Sequence, residues 1–132
     1  MKKKFSTKWK ASKQPKKQRK YLAKAPINIK RKQLSANLSK EIRKKYGRRS
    51  MELKKGDKVK IMRGKYKGKS GKIDKILTKR LKIYVDGIQI KKSEGSKINI
   101  PLKASNLQII ELNTDDKKRM KRKPEIKQES KK

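Results

Sequence analysis

The segment from residue 53 to residue 76 restricts the possible folds more than any other part of this chain. Val59 and Ile61 alternate with polar neighbours, which is the period-2 pattern of a half-buried strand. A second apolar run resumes at Ile73, after a stretch that contains three glycines. The sequence therefore predicts two strands joined by a basic glycine loop, residues 63–72.

This glycine loop is the first candidate site for nucleic acid. Glycine permits close approach of the backbone to another surface, and cations surround the single aromatic ring of Tyr66. Lysine and arginine can contact phosphates, while Tyr66 could stack on an unpaired base or cover the end of the β-structure. A merely lysine-rich hairpin connection is the alternative. The predicted RNA-contacting residues are Arg63, Lys65, Tyr66, Lys67, Gly68, Lys69 and Lys72.

Residues 51–112 are predicted to form a small all-β module. The candidate strands are 57–62, 69–77, 81–85, 88–90, 97–100 and 107–111. Asp86-Gly87 lies between two alternating runs and predicts a hairpin, and residues 93–96 form a second turn signal. Short strands with frequent turns are typical of a small barrel. Its predicted core consists of Val59, Ile61, Ile73, Ile76, Ile83, Val85, Ile88, Ile90, Ile98, Ile100, Leu107 and Ile109.

The charge balance indicates a polyanionic partner. Lysine and arginine number 46 against 11 acidic residues, a formal net charge of +35. A compact chain of this charge repels itself unless a polyanion neutralises it. No segment combines a long apolar face with a basic one, which argues against membrane binding. The expected partner is nucleic acid, with no small-molecule substrate and no homo-oligomer.

The residue types present argue against an enzyme. The chain has no cysteine and no histidine, which removes disulfides, thiolate or imidazole metal sites, and catalysis by either side chain. The run from Gly64 to Ser70 imitates a phosphate-binding P-loop, but it has three residues between its glycines where that motif needs four. We therefore expect no catalytic activity, no metal and no cofactor. The N-terminus lacks the apolar core of a secretory signal, so a cytoplasmic protein is expected.

The first acidic residue of the chain is Glu41. A segment without carboxylates cannot form internal ion pairs, and this one has few apolar residues. Residues 1–34 are therefore predicted to be a basic extended arm, disordered until RNA orders it, with short turns at Pro15 and Pro26. A solvated tail without a partner is the alternative. The RNA-contacting candidates in this arm are Arg19, Lys20, Arg31 and Lys32.

A short helix and a cationic linker are predicted over residues 35–50. The helix is expected from Ser35 or Leu38 to Tyr46, with Ser35 or Ser39 as its cap and Gly47 as its end. An apolar stripe at i, i+4 spacing supports it: Leu34, Leu38, Ile42 and Tyr46. The cations near its C-terminus exceed what the helix dipole needs. The RNA-contacting candidates are Arg43, Lys44, Arg48 and Arg49.

Residues 113–132 are predicted to be a basic tail, helical over a short stretch or disordered. Thr114 can cap such a helix, with Asp115 and Asp116 in its first turn. Further RNA-contacting candidates lie within the β module: Lys91, Lys92, Lys103 and Asn106.

The glycine-loop segment resembles the KOW motif of ribosomal proteins and transcription elongation factors. The matching positions are Gly56, Asp57, Val59, Ile61, Gly64, Lys67, Gly68, Gly71 and Ile73. Upstream, the chain resembles the archaeal and eukaryotic branch of the large-subunit ribosomal protein twenty-four family at residues 12–20, 25–26, 29–32 and 38–50. This resemblance covers residues 12–112 and implies that the barrel is SH3-like. It departs from the family at Lys103-Ala104, where relatives usually carry His-Pro.

The same resemblance implies a structural constituent of the large ribosomal subunit that binds the large-subunit ribosomal RNA. It further implies early assembly near the 5′ region of that RNA, beside neighbouring ribosomal proteins close to the polypeptide exit tunnel. One alternative is a KOW-type transcription elongation factor, but such factors carry an additional α/β domain that residues 1–50 are too basic to supply. A non-specific RNA chaperone is the other alternative.

Overall fold

The computed structural model describes residues 2–120, which form a mainly β structure with a helical N-terminal arm. All six predicted strands are present, with bounds that agree within one residue. Two more strands precede them. The strands are β1 Ser35–Leu38, β2 Ser50–Glu52, β3 Lys58–Ile61, β4 Ser70–Leu77, β5 Lys82–Val85, β6 Gln89–Lys91, β7 Lys97–Asn99 and β8 Leu107–Glu111.

Six of these strands form one mixed sheet, in the order β2-β1-β8-β3-β4-β5. β1 is parallel to β8, while the other neighbouring strands are antiparallel. An isolated bridge joins Ile83 to Leu102 beyond the edge of β5. The strand pairings among the described residues do not close this sheet into a ring. The mainly β prediction is confirmed, and the arrangement is consistent with a small SH3-like fold.

The core lies on the inner face of this sheet. Val59 and Ile61 of β3 face Ile109 and Leu107 of β8 across paired registers, and all four are buried. Alternation along a strand sends every second side chain to the same face, so these apolar residues meet in one layer. Ile73, Ile83, Val85 and Ile88 are also buried as predicted, with Ile76 and Ile100 partly buried against the core. The core also contains residues that were not predicted to belong to it: Leu34, Ala36, Leu38, Met51, Leu53 and Ala104.

Two predicted core residues, Ile90 and Ile98, are not in the core. They are 50% and 44% exposed and face each other across the two-stranded ribbon β6-β7. The prediction was wrong because this ribbon pairs only with itself and lies outside the six-stranded sheet. The same arrangement corrects the hairpin expected at Asp86-Gly87. These residues form a turn, but β5 pairs with β4 and β6 pairs with β7.

The predicted helix from residue 35 or 38 is shorter than expected. Ser35–Leu38 is strand β1, in which Ala36 and Leu38 are buried alternately, and the helix α3 covers Lys40–Tyr46. Leu34 and Leu38 are both buried, although they do not belong to one helical stripe. The pairing of β1 with both β2 and β8 overrides the local pattern because it satisfies the strand backbone on both edges. Gly47 ends α3 as predicted.

The N-terminal arm contains helices where the sequence predicted an extended segment with turns. A 3₁₀ turn, Thr7–Ala11, is followed by α1, Pro15–Lys24, and α2, Ile27–Gln33. Pro15 occupies the first turn of α1 and Pro26 precedes α2, positions in which the missing N–H of proline is harmless. Tyr21, Ala25 and Lys30 are buried in this arm. Disorder of the arm in the absence of RNA stays a prediction.

The C-terminal segment contains a short helix, α4, Lys117–Met120. Asp116, not the predicted Thr114, caps its first turn, because the Asp116 Oδ1 accepts a hydrogen bond from the Lys118 N–H at 2.9 Å. The part of the predicted tail from residue 121 onwards lies outside the described residues.

Candidate nucleic-acid interface

The glycine loop closes the hairpin between β3 and β4 and is tied at its base by backbone hydrogen bonds. The Ile61 N–H donates to the Lys69 carbonyl and the Gly68 N–H donates to the Ile61 carbonyl, both at 2.8 Å. Gly64 and Gly68 have φ angles of +94° and +88°, a conformation that other residues rarely adopt. Because its N–H is hydrogen-bonded within the hairpin, Gly68 determines the shape of the loop.

Gly71 has a different requirement, because it lies where two strands approach closely. A Cβ atom at this position would be 2.6 Å from the Asp86 carbonyl oxygen and 2.8 Å from Val85 Cγ1. Glycine is therefore needed here for space.

Tyr66 is half-buried at the tip of the loop and packs against the core. The Lys69 ammonium lies 5.4 Å from the centre of its ring. These contacts are those of a residue that covers the end of the β-structure. A base could stack on the face near Lys69 only if that side chain moved.

The cations of the loop are exposed and have no acidic partner within the described part of the chain. The ion pairs found there are Lys54–Asp116, Lys55–Asp74, Lys58–Glu111 and Arg119–Asp57. None of them involves a predicted RNA-contacting residue. The positive charge of the loop is therefore left for an external anion, and Lys65, Lys67, Lys69 and Lys72 present it on one hairpin.

Asn106 lies beside the glycine loop. It ends the 3₁₀ turn Ala104–Asn106, and its carbonyl accepts a hydrogen bond from the Met62 N–H at 2.8 Å. The structure thus brings this candidate to the same end of β3 as the loop, although the two are more than thirty residues apart in sequence.

A second group of candidates lines a cleft of about 550 Å³ between α2, β2 and α4, here called the α2 cleft. Arg31 and Lys32 come from α2, and Arg48 comes from the segment after α3. Lys54 and Lys118 also line it and were missed by the sequence analysis. Their only sequence signal is positive charge, which they share with a third of the chain.

A third group lines a cavity of about 610 Å³ where the arm meets the β-structure, here called the arm cavity. It brings Arg19 of α1 together with Lys103, which precedes the second 3₁₀ turn. Three more cations that the sequence analysis missed lie in or beside the β4–β5 turn: Lys79, Arg80 and Lys82. A dense cationic run in a strand connection is the signal that could have found them.

The remaining candidates lie apart from these sites. Lys91 and Lys92 are exposed on the β6-β7 ribbon. The Arg43 Nε donates to the Leu38 carbonyl at 2.8 Å, so part of its guanidinium supports the start of α3. The last three candidates belong to none of these groups: Lys20, Lys44 and Arg49.

Among residues 2–120, no helix is both long and apolar enough to cross a membrane.

The comparison with known protein families gives a match over residues 12–123. The family is described as the ribosomal proteins L26 of eukaryotes and their archaeal counterparts, the ribosomal proteins numbered twenty-four. The matched range begins before α1 and extends past α4, so it includes the glycine loop, the α2 cleft and the arm cavity.

Proposed function

The chain belongs to the family of eukaryotic L26 ribosomal proteins and their archaeal counterparts, which are structural constituents of the large ribosomal subunit, and we propose that it fulfils this role by binding large-subunit ribosomal RNA through the glycine loop. The observation that carries the proposal is the set of exposed, unpaired cations on a hairpin with fixed geometry. Such a surface is suited to the phosphates of RNA, which contact side-chain cations without regard to base sequence.

The mechanism is neutralisation and positioning. RNA helices that pack together bring phosphates close, and each lysine between them reduces that repulsion. The hydrogen bonds at the base of the hairpin hold the loop in one shape, so its cations meet the RNA with little loss of backbone freedom. The β-structure supplies a rigid body, and the cationic arm extends the contact over a larger surface of RNA.

Family membership and the sequence resemblance also support a location of the protein in the large subunit and a stage of assembly at which it binds. We include in the proposal early assembly near the 5′ region of the RNA, a position near the polypeptide exit tunnel beside neighbouring ribosomal proteins, and location in the cytoplasm. The protein binds as a single copy, with no catalytic step.

The proposal is tested by replacing Lys65, Lys67 and Lys69 together with glutamine. Binding of large-subunit ribosomal RNA should weaken, and the slope of log affinity against log salt should fall by up to about two to three units, because each lost phosphate contact removes somewhat less than one unit. A matched control replaces three exposed lysines outside the loop: Lys55, Lys75 and Lys117. It removes the same charge, so an equal effect of both triple variants would contradict a site at the loop.

A sedimentation experiment separates this function from the alternatives. A structural constituent remains with the large subunit through a wash at moderate salt. Release with RNA polymerase would indicate an elongation factor, and complete release into the wash would indicate a chaperone without a defined site.

A further inference from the structure

The arm cavity is held together by one buried lysine. Lys30 is 9% exposed, and its ammonium donates hydrogen bonds to the Ala23 carbonyl at 3.1 Å and the Lys79 carbonyl at 3.2 Å. Ala23 belongs to α1 and Lys79 to the β4–β5 turn, and both residues line the cavity. This contact therefore joins the two walls of the cavity when the arm is folded.

The apolar part of the cavity lining is here called its floor. Leu22, Ala23, Leu81 and Ala104 line it, and Leu22 is 48% exposed. Leu81 has a φ angle of +55°, the only positive value at a residue other than glycine in the described part of the chain. A leucine in this conformation is strained, and such strain is concentrated at functional sites. Leu81 lines the cavity and is also partly buried against the core.

The cationic part of the lining is here called the rim, and it is free of carboxylates. Five cations line it: Arg19, Lys79, Arg80, Lys82 and Lys103. No acidic residue is among the described residues that line it. The α2 cleft differs, since Glu52 and Asp116 line that cleft beside its cations. The occupant that fits the arm cavity therefore presents an apolar surface to the floor and negative charge to the rim.

We propose that the arm cavity binds one unpaired nucleotide of RNA, with its base on Leu22 and Leu81 and its flanking phosphates on the cationic rim. An unpaired base has a flat apolar face, and the adjoining phosphates carry the negative charge, so a single nucleotide supplies both properties. The volume of about 610 Å³ lies within the range that small-molecule sites occupy.

Gln33 also lines the cavity, but its Oε1 is buried and has no hydrogen-bond partner among the described residues. It therefore faces away from the open space and is no part of the proposed contact. An acidic peptide segment could also combine charge with apolar surface, but the five cations that line the cavity suit the closely spaced phosphates on both sides of one nucleotide better. The experiment must therefore distinguish a bound peptide from a bound nucleotide.

The test compares two RNA duplexes of the same length, one fully paired and one with a single-nucleotide bulge that carries 2-aminopurine. The full-length protein should bind the bulged duplex about tenfold more tightly, which is the order expected when one apolar base face is removed from water. The fluorescence of the 2-aminopurine should change on binding, because the base leaves its stack for the cavity.

The variant that tests the floor is Leu22→Gln, which keeps helix propensity and removes the apolar face. Its matched control is Ile27→Gln, since Ile27 is an exposed apolar residue, 58% exposed, in the same arm but outside the cavity lining. Leu22→Gln should remove most of the preference for the bulge, while affinity for the paired duplex stays within about twofold. Ile27→Gln should leave the preference intact. A second variant, Ala23→Glu, places a carboxylate at the cavity and should also remove the preference, by repelling phosphate.

The inference rests on the proposed function, and the two fail in different ways. Failure to bind either duplex or large-subunit ribosomal RNA would contradict both. Binding of both duplexes with equal affinity, or equal effects of Leu22→Gln and Ile27→Gln, would overturn the nucleotide site and leave the glycine-loop proposal standing. An unchanged preference for the bulge in Leu22→Gln and Ala23→Glu, with loss of binding to ribosomal proteins, would overturn it as well and would indicate a peptide in the cavity.

Discussion

Arg119 binds both carboxylate oxygens of Asp57, with N···O distances of 2.8 Å and 2.7 Å. The Arg119 and Asp57 side chains are 4% and 0% exposed. Asp57 also accepts hydrogen bonds from the backbone N–H groups of Lys54 and Asn113. Asp57 is one of the positions that match the KOW motif, yet it faces inward, where it attaches the C-terminal segment to the turn before β3. Its role in this chain is structural and not one of RNA contact.

The Asp57–Arg119 pair predicts a large loss of stability when one partner is removed. Arg119→Ala leaves a buried carboxylate without its countercharge, and such changes cost about 3–5 kcal/mol. The control is Lys58→Ala, which removes the exposed pair of Lys58 with Glu111 and should cost at most about 1 kcal/mol. Urea unfolding of the two variants measures the difference. Equal unfolding midpoints would show that the buried pair does not stabilise the fold.

The close approach at Gly71 predicts that alanine there is worse than at Gly64. At Gly71 the new methyl group would overlap the Asp86 carbonyl, and forced overpacking costs about 1–3 kcal/mol in addition to any shift of the strands. At Gly64 nothing lies within 4 Å of the new atom, so the cost is that of the left-handed backbone, about 1–2 kcal/mol. Gly71→Ala should also separate β4 from β5, seen as faster amide exchange at the Asp86 N–H. A larger loss of stability in Gly64→Ala would contradict this account.

Tyr66 should contribute more to stability than to base stacking. Because the ring is half-buried against the core, Tyr66→Ala should lower the free energy of unfolding by about 1–2 kcal/mol. Tyr66→Leu keeps apolar cover and should preserve most of the stability, with RNA affinity within about twofold of the original protein. Urea unfolding and RNA titration of both variants give the answer. A strong loss of RNA affinity in Tyr66→Leu at unchanged stability would assign the ring to stacking.

The arm should depend on RNA for its order. Among residues 2–24 only Tyr21 is buried, and no carboxylate is present to offset the repulsion between the cations of α1. Amide exchange before Ala25 should therefore be fast in the free protein and slow by at least about tenfold after RNA is added. Exchange in β3 and β8 is the internal control and should be slow in both states. Strong protection of α1 without RNA would show that the arm folds by itself.

Local pattern was sufficient to predict the strands β3 to β8 and the glycine loop. Val59, Ile61 and Ile73 belong to a period-2 apolar pattern, which predicts a strand whichever strand it pairs with. The glycines mark where the chain turns. Which strands pair with each other was harder to predict. Asp86-Gly87 forms a turn as expected, but nothing in its neighbourhood says that β6 leaves β5 and pairs with β7, which exposes Ile90 and Ile98.

The candidate site was likewise predictable only where it depends on local sequence. Charge and glycine spacing were enough to predict a hairpin with exposed cations at residues 63–72, since both properties are local. The meeting of Arg19 with Lys103, and of Asp57 with Arg119, depends on segments more than sixty residues apart. Side-chain alternation determines which face of a strand is apolar, whereas the choice of neighbour depends on the total burial and hydrogen bonding of the assembled sheet. The amino-acid order thus determined the β elements and the basic loop and predicts a polyanionic partner. The tertiary packing decided which distant cations share a cavity, because contact between remote segments is a property of the whole fold.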